Sequence, residues 1–230
     1  GGGFKKFCRG EIQVTGASRH IKSTEAEKCE KAGIKFVELA IAYDGISVVA
    51  HPSNSFAKHL TVAELKKIWE PAAKGKITNW NQVRAGFPDL PLKLYGPGPD
   101  SGTFDYFTKV INGKAQASRA DYLPSEDDNV LVRGVAEDKG ALGYFGFAYY
   151  VAHREKLALI AVKNGDGPIV SPSTKTIADM SYKPLARPIF IYVNVDKAKD
   201  PAVDAFIKFY IANAKGLADK VGYIGLPPEI

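Results

Sequence analysis

The sequence predicts an α/β protein, and two observations carry the prediction. Short apolar runs alternate with stretches of helical periodicity along the whole chain, which is typical of strands and helices that follow one another. Hydrophobic residues make up 45% and charged residues 24% of the composition, so a sizeable core is expected and wholesale disorder is not. The length of 230 residues fits one large domain or two small ones and does not choose between them.

The predicted elements of the first half begin with a short helix over 4–9 and a strand over 12–17. Thr24 and Glu27 have the spacing of a capping box, which predicts a helix that Gly33 ends. Two apolar runs follow between 36 and 50, interrupted at Asp44-Gly45. A second capping box, Thr61 with Glu64, predicts a helix that stops before Pro71.

In the second half, a strand is predicted over 92–95 and a rigid turn over 96–99. A helix then begins at Ser101 and runs to Gly113, and another is capped by Asp127 or Asp128. The apolar run 189–193 predicts a strand, and the helix after it extends from Pro201 through Tyr210.

Composition also limits the function classes. Two cysteines exclude a disulfide scaffold and a multi-cysteine metal module. The net charge of +6 favours anionic partners, but 25 acidic residues offset it and the chain has no run of five lysines or arginines, so nucleic acid is not indicated. The longest uncharged apolar stretch, 140–152, is too short to span a bilayer.

The chain opens on three glycines, directly before an amphipathic segment. This is typical of the middle of a loop, so we expect a processed or truncated piece of a longer protein, without its signal peptide.

The strongest local feature is the junction at 96–104, where a strand, a Gly/Pro turn and a helix start at Ser101-Gly102-Thr103 follow one another. The first amides of a helix lack internal partners and lie at the positive end of its dipole, so this junction can hold an oxyanion. A simple helix cap is the alternative, with about even odds from these residues alone. No lysine follows the glycines as in a nucleotide-hydrolysing loop.

Two further places offer donors for an anion. Ser18 and Arg19 follow the first predicted strand, and a guanidinium matches phosphate or carboxylate, although a plain surface arginine is the more common case. Gly1 and Gly2 open the other glycine-to-helix junction.

Catalytic and metal sites are not indicated. The four histidines have no paired spacing, and Ser101 has no nucleophile-elbow motif and no neighbouring base. Adjacent acids at 126–128 are more often helix capping than metal ligands. Cys8 and Cys29 are either two idle thiols or, in an exported protein, a disulfide, which is the interpretation we favour.

Six segments in matching order resemble one known family. They are Gly1-Gly2-Gly3-Phe4-Lys5-Lys6-Phe7-Cys8, Ala17-Ser18-Arg19, Leu65-Lys66-Lys67-Ile68-Trp69, Ile77-Thr78-Asn79-Trp80, the stretch 96–107 and Gly140-Ala141-Leu142-Gly143-Tyr144. Together they resemble the periplasmic phosphate-binding protein of the ABC-type phosphate importer, over residues 1 to about 226.

The resemblance implies a type II binding protein: two α/β domains with mixed sheets flanked by helices, and the ligand in the cleft between them. The first domain would comprise 1–46 with 188–230, without its N-terminal strand and helix, and the second 47–187. The function implied is binding of inorganic phosphate and its delivery to a membrane permease, without catalysis, cofactor, metal or nucleic acid, by a monomer in the periplasm or cell envelope. The alternatives are another oxyanion such as sulfate, a phosphate-sensing module, and, least favoured, a phosphate-ester hydrolase.

The resemblance also implies the ligand-binding residues. Ser101, Gly102 and Thr103 would bind phosphate through hydroxyls and helix-start amides, and Ser18 would donate from the other domain. Arg19 would add a bidentate donor where other family members have an aspartate that accepts the ligand's proton. Gly1 and Gly2 match the family's glycine-rich turn.

Overall fold

The chain folds into two compact units, each α/β. A computed structural model describes residues 2–226. Unit 1 comprises Gly1–Asp44 and Arg187–Ile230, and unit 2 comprises Gly45–Ala186. The boundaries that the resemblance implies fall after residues 46 and 187.

The elements alternate along the chain as the sequence predicts. Within the described residues the α-helices are α1 Gly2–Phe7, α2 Ser23–Lys31, α3 Val62–Trp69, α4 Gly102–Asn112, α5 Asp128–Glu137, α6 Phe147–His153, α7 Thr174–Ala178 and α8 Pro201–Lys220. The strands of the same part are β1 Val14–Ala17, β2 Phe36–Ala50, β3 His59–Thr61, β4 Lys93–Pro97, β5 Leu123–Ser125, β6 Ala141–Gly146, β7 Ala158–Lys163, β8 Ile169–Val170, β9 Ala186–Asn194 and β10 Ile224–Gly225.

The sheet of unit 1 is built on β9 and the first part of β2. Strand β9 lies between β1 and β2, and β1 is antiparallel to it, with Ala17 opposite Phe190. Strand β10 adds to β2 in antiparallel register. One side of the sheet carries a buried cluster of residues from α1, α2 and β9: Phe4, Phe7, Cys8, Cys29, Phe190 and Tyr192. A second cluster packs α8 on the sheet through Ile41, Ile191, Val193, Ile207, Tyr210 and Ala214.

Unit 2 is a mixed sheet flanked by helices. The last residues of β2 pair antiparallel with β6 and with β7, while β4 lies parallel to both β6 and β5. Strand β7 also pairs with β3 and β8. Tyr144 of β6 stacks on Phe107 of α4 at a centroid distance of 3.7 Å, and Trp69 of α3 packs edge-on against it at 4.9 Å. This packing fixes α4, whose first residues belong to the predicted site.

The observed helix starts can be compared with the two capping boxes predicted from sequence. The prediction at Thr61 is confirmed, since its Oγ1 accepts from the amide of Glu64 and its own amide donates to the Glu64 carboxylate. The predicted Thr24 box is wrong: α2 begins at Ser23, and the amide of Lys22 donates to Glu25 at 3.0 Å. Glu25 is fixed in that position because it also binds an arginine, as described below.

Three predicted element ends are also wrong. Strand β2 continues through the expected break at Asp44-Gly45. Strand β4 extends to Pro97 instead of turning at Gly96, because it pairs in parallel with β5 as far as Ser125. Helix α8 ends ten residues beyond Tyr210, since packing against the sheet outweighs the weak helix propensity of its asparagine and glycine.

Candidate functional site

The start of α4 is the candidate ligand-binding region of unit 2. Ser101 is its N-cap, and the Ser101 Oγ accepts from the amides of Thr103 at 3.1 Å and Phe104 at 3.4 Å. Because this oxygen already accepts two bonds, the hydroxyl proton of Ser101 is directed toward another acceptor. Capping and anion binding are therefore compatible roles for this serine.

Space around the helix start is open. Gly102 is exposed, and a Cβ built on it would meet nothing within 4 Å, while Thr103 is half-buried. Phe104 and Phe107 are buried on the opposite side and anchor the helix. A small anion can thus reach the first turn of α4, where amides and the helix dipole favour negative charge.

The loop before Ser101 is held by Glu126, a residue that the sequence analysis assigned only to helix capping. Its Oε1 accepts from the amide of Asp100 at 3.2 Å, and the amide of Gly98 donates to the Ser125 carbonyl at 3.2 Å. A Cβ on Gly98 would lie 2.0 Å from the Glu126 Oε1, so any larger residue there would displace the Glu126 carboxylate. The connection between β5 and α5 therefore positions the start of α4.

The neighbouring acids have local roles. Asp127 caps α5 by accepting from the Asn129 amide at 2.9 Å, which confirms the capping interpretation. Burial, together with the charges of Asp127 and Glu126, raises the pKa of Asp128 to about 6. Within residues 2–226 no group of three or more histidine, cysteine, aspartate or glutamate side chains could hold a metal ion.

Ser18 is a candidate ligand-binding residue of unit 1. It follows β1 directly, and its Oγ accepts from the Arg187 Nη1 at 3.3 Å. Arg187 is paired with Asp44, whose Oδ2 accepts from the Arg187 Nε at 3.0 Å and Nη2 at 2.8 Å. Both partners are buried, at 9% and 8% exposure. A charged pair therefore supports the hydroxyl that the resemblance assigns to the ligand.

Sequence reasoning missed this pair. The two residues are 143 positions apart, so no local spacing relates them. The available signal was chemical: each is a charged residue flanked by apolar residues of a long strand, where an unpaired charge is costly.

Arg19 forms an ion pair with Glu25, which lies in the same unit. Its Nη1 and Nη2 donate to the two oxygens of Glu25 at 2.8 Å each, and Nη1 also donates to the His20 carbonyl at 2.9 Å. The guanidinium lies 5.0 Å from the ring centroid of Phe4. The Arg19 hydrogen bonds lower the pKa of Glu25 to about 2, and the same bonds raise the pKa of Arg19.

The glycines at the chain start differ from one another. Gly1 lies outside the described residues. Gly2 begins α1, and a Cβ on it would meet nothing within 4 Å, so its backbone is accessible. Gly3 is a packing requirement instead, since a Cβ there would lie 2.3 Å from the Thr15 Oγ1.

Cys8 and Cys29 form a disulfide with an S–S distance of 2.04 Å. It joins the turn after α1 to α2, so it braces the two short helices beside Ser18 and Arg19. None of the helices in the described part of the chain is both long and apolar enough to cross a membrane.

Known proteins are similar to this chain in sequence and in fold. A family model described as the PBP superfamily domain matches residues 1–214. Protein SphX of Synechocystis sp. is 55% identical over the whole chain, which covers 68% of that protein. The phosphate-binding protein PstS of Staphylococcus saprophyticus is 36% identical over the whole chain and 70% of its own length. A possible phosphate-binding protein from Planctomyces limnophilus has a similar crystal structure, with a TM-score of 0.91 and 48% identity, covering 99% of this chain and 80% of that one.

These matches extend over nearly the whole chain, include both units, and agree with the resemblance found in the six sequence segments. The chain belongs to the PBP superfamily, in the family of PstS-type phosphate-binding proteins.

Proposed function

We propose that this chain binds inorganic phosphate and delivers it to the membrane permease of an ABC-type importer, without catalysing a reaction. The open first turn of α4 is the observation that carries the proposal: Ser101, Gly102 and Thr103 offer hydroxyls and amides to one small anion. Membership of the family that contains PstS adds support. Phosphate is a suitable ligand because its oxygens accept charge-assisted hydrogen bonds.

Unit 1 supplies the remaining donors in this proposal. Ser18 donates its hydroxyl proton to the anion, and the backbone at Gly2 contributes together with Gly1. Arg19 contributes if phosphate displaces the Glu25 carboxylate from its guanidinium.

The proposal includes the cellular setting. Export to the periplasm or cell envelope fits a chain whose two cysteines form a disulfide, since such bonds persist in oxidising compartments. We further propose a monomer that needs no cofactor and does not bind nucleic acid.

Thermal unfolding with phosphate tests the function. A ligand at about a hundredfold its Kd stabilises the folded state by about 2.7 kcal/mol, which corresponds to roughly 5–10 °C in Tm for a protein of this size. We expect this shift with the 230-residue chain. No shift at millimolar phosphate would refute the proposal.

Two further experiments distinguish phosphate binding from the other-oxyanion and hydrolase alternatives. Calorimetric competition with sulfate should leave phosphate as the tighter ligand, and the reverse order would assign the site to another oxyanion. A chromogenic phosphate ester should not turn over, and turnover would indicate the hydrolase alternative.

The role of Arg19 has its own comparison. We expect Arg19→Ala to weaken phosphate binding more than His20→Ala, since the side chain of His20 bonds to Glu38 at the surface. Equal effects would remove Arg19 from the ligand-binding residues.

A further inference from the structure

The buried pair of Arg187 and Asp44 lies beside a proposed ligand-binding hydroxyl. Arg187 is the second residue of β9, and Asp44 is the last residue of β2 that belongs to unit 1. The side chains of both are about a tenth exposed, at 11% and 10%. Ser18 is in direct contact with this pair through the 3.3 Å bond from Arg187.

The bond direction determines what Ser18 can offer. A guanidinium has donors and no acceptor, so the Ser18 oxygen must be the acceptor in this contact. The single hydroxyl proton of Ser18 is then directed toward another group. Ser18 therefore presents a donor to a ligand, as an oxyanion requires.

Distance places Arg187 within reach of the same ligand. An anion oxygen that accepts from Ser18 lies about 2.7 Å from its Oγ, and therefore within about 6 Å of the Arg187 Nη1. That is shorter than the screening length of about 8 Å in physiological salt. The charge is also mostly shielded from water, which strengthens its field at the ligand.

Arg19, the arginine that the sequence selected, has a different environment. Both of its terminal nitrogens hold the two oxygens of Glu25, and the pair is more exposed, at 28% and 20% of the side chains. Arg19 has to give up this partner before it can bind phosphate through the same atoms, whereas Arg187 holds Asp44 through Nε and Nη2 while its Nη1 already donates to Ser18.

We propose that Arg187 is the principal cation that unit 1 presents to phosphate. By donating to the Ser18 oxygen, Arg187 also orients the Ser18 hydroxyl as a donor to the same anion. This inference rests on the proposed function and adds a specificity-determining residue to it. Unit 1 then offers the ligand a hydroxyl donor whose oxygen is held by the positive end of the Arg187–Asp44 ion pair, so the dianion of phosphate is bound in preference to the monoanion.

The test is calorimetric titration of phosphate into the 230-residue chain. The double variant Asp44→Asn/Arg187→Gln removes both charges, so no buried charge is left without its partner. We expect the Kd of this variant for phosphate to rise about tenfold or more, because one charge-assisted interaction is lost. The matched control is Glu64→Gln/Arg84→Gln, which removes another two-bond pair of an arginine with a carboxylate, with N–O distances of 2.6 Å. Its Kd should stay within about twofold, since a glutamine at position 64 still serves the helix cap.

A pH comparison separates an electrostatic role from a merely structural one. Phosphate changes from monoanion to dianion near neutral pH, so the loss in the Asp44→Asn/Arg187→Gln variant should be larger at about pH 8 than at about pH 6. An equal loss at both pH values would overturn the inference, as would binding as tight as that of the wild type. If the wild type itself binds no phosphate, the proposed function fails and this inference fails with it.

Arg187→Lys keeps the inference testable where the double variant does not fold. Lysine keeps the charge and loses the planar fork that reaches Ser18 and Asp44 together. In a cycle of Ser18→Ala and Arg187→Lys, we expect effects on Kd that are non-additive by about threefold or more. Additive effects would refute the coupling between these two residues.

Discussion

Ser101 is both the N-cap of α4 and a proposed ligand-binding residue, so its substitutions test both roles. Its Oγ accepts from two helix amides, and its proton is proposed to bind phosphate. Replacing Ser101 with alanine removes the cap, which costs about 1 kcal/mol of stability. It also removes a hydrogen bond to a charged acceptor, worth about 1.5–3 kcal/mol, so the Kd for phosphate should rise roughly ten- to a hundredfold.

Ser101→Asp separates the two roles. Aspartate caps helices as well as serine does, and its charge at the helix start adds about 0.3–1 kcal/mol. The ligand-free Tm should therefore equal or slightly exceed that of the wild type. Phosphate would meet a like charge about 4 Å away, which costs about 4 kcal/mol per unit charge near a protein surface, so binding should be abolished.

The assay for both variants is calorimetric titration with phosphate, together with ligand-free thermal unfolding. Thr61→Ala is the matched control, because it removes the N-cap of α3 in the same unit. It should lower the Tm as Ser101→Ala does, by about 2–4 °C, and leave the Kd unchanged. The reasoning is refuted if Ser101→Asp still binds phosphate with wild-type affinity.

Three other predictions follow from the same contacts. Removing the disulfide with Cys8→Ala/Cys29→Ala should lower the free energy of unfolding by about 3 kcal/mol, which is the chain-entropy value for a closed loop of this length. Urea unfolding measures this loss, and an unchanged midpoint would contradict the prediction. Gly98→Ala should weaken phosphate binding severalfold in calorimetry, because its Cβ would collide with Glu126, and wild-type affinity would show that the loop adjusts freely. The pKa of Glu25 is lowered from 4.5 to about 2, so its ion pair stabilises the fold above pH 4.5 and this contribution is lost as the pH falls toward 2. The Tm difference between the wild type and Glu25→Gln should therefore shrink across that range, and a constant difference would exclude the linkage.

Local signals predicted the start of α4, where candidate ligand-binding residues lie, from sequence. A capping serine, a glycine and a threonine lie within three residues, and their hydrogen bonds form within the same helical turn. Such contacts depend little on the rest of the fold, which is why the starts of α3 and α4 were both predicted correctly.

Long-range contacts explain the errors. The start of α2 was misplaced because Glu25 serves both the Lys22 amide and Arg19, and only the folded chain shows that double role. Strand β4 continues past Gly96 because β5 pairs with it. Helix α8 extends beyond its predicted end at Tyr210 because it packs against the sheet. In each case tertiary structure overrides a weak local preference.

The cost of burying Arg187 and Asp44 is itself an argument for a role beyond stability. A buried ion pair commonly stabilises a fold no more than two well-packed apolar residues would, because both charges lose their hydration. Arg119 and Asp121 in unit 2 form a pair whose arginine also donates to the carbonyls of Ile68 and Ile77, so that pair satisfies backbone groups. Arg187 instead donates to the Ser18 hydroxyl, a side chain at the end of a strand in the proposed site. A charged pair placed at such cost beside the proposed ligand-binding hydroxyl of Ser18 is consistent with the anion-binding role that we propose for Arg187.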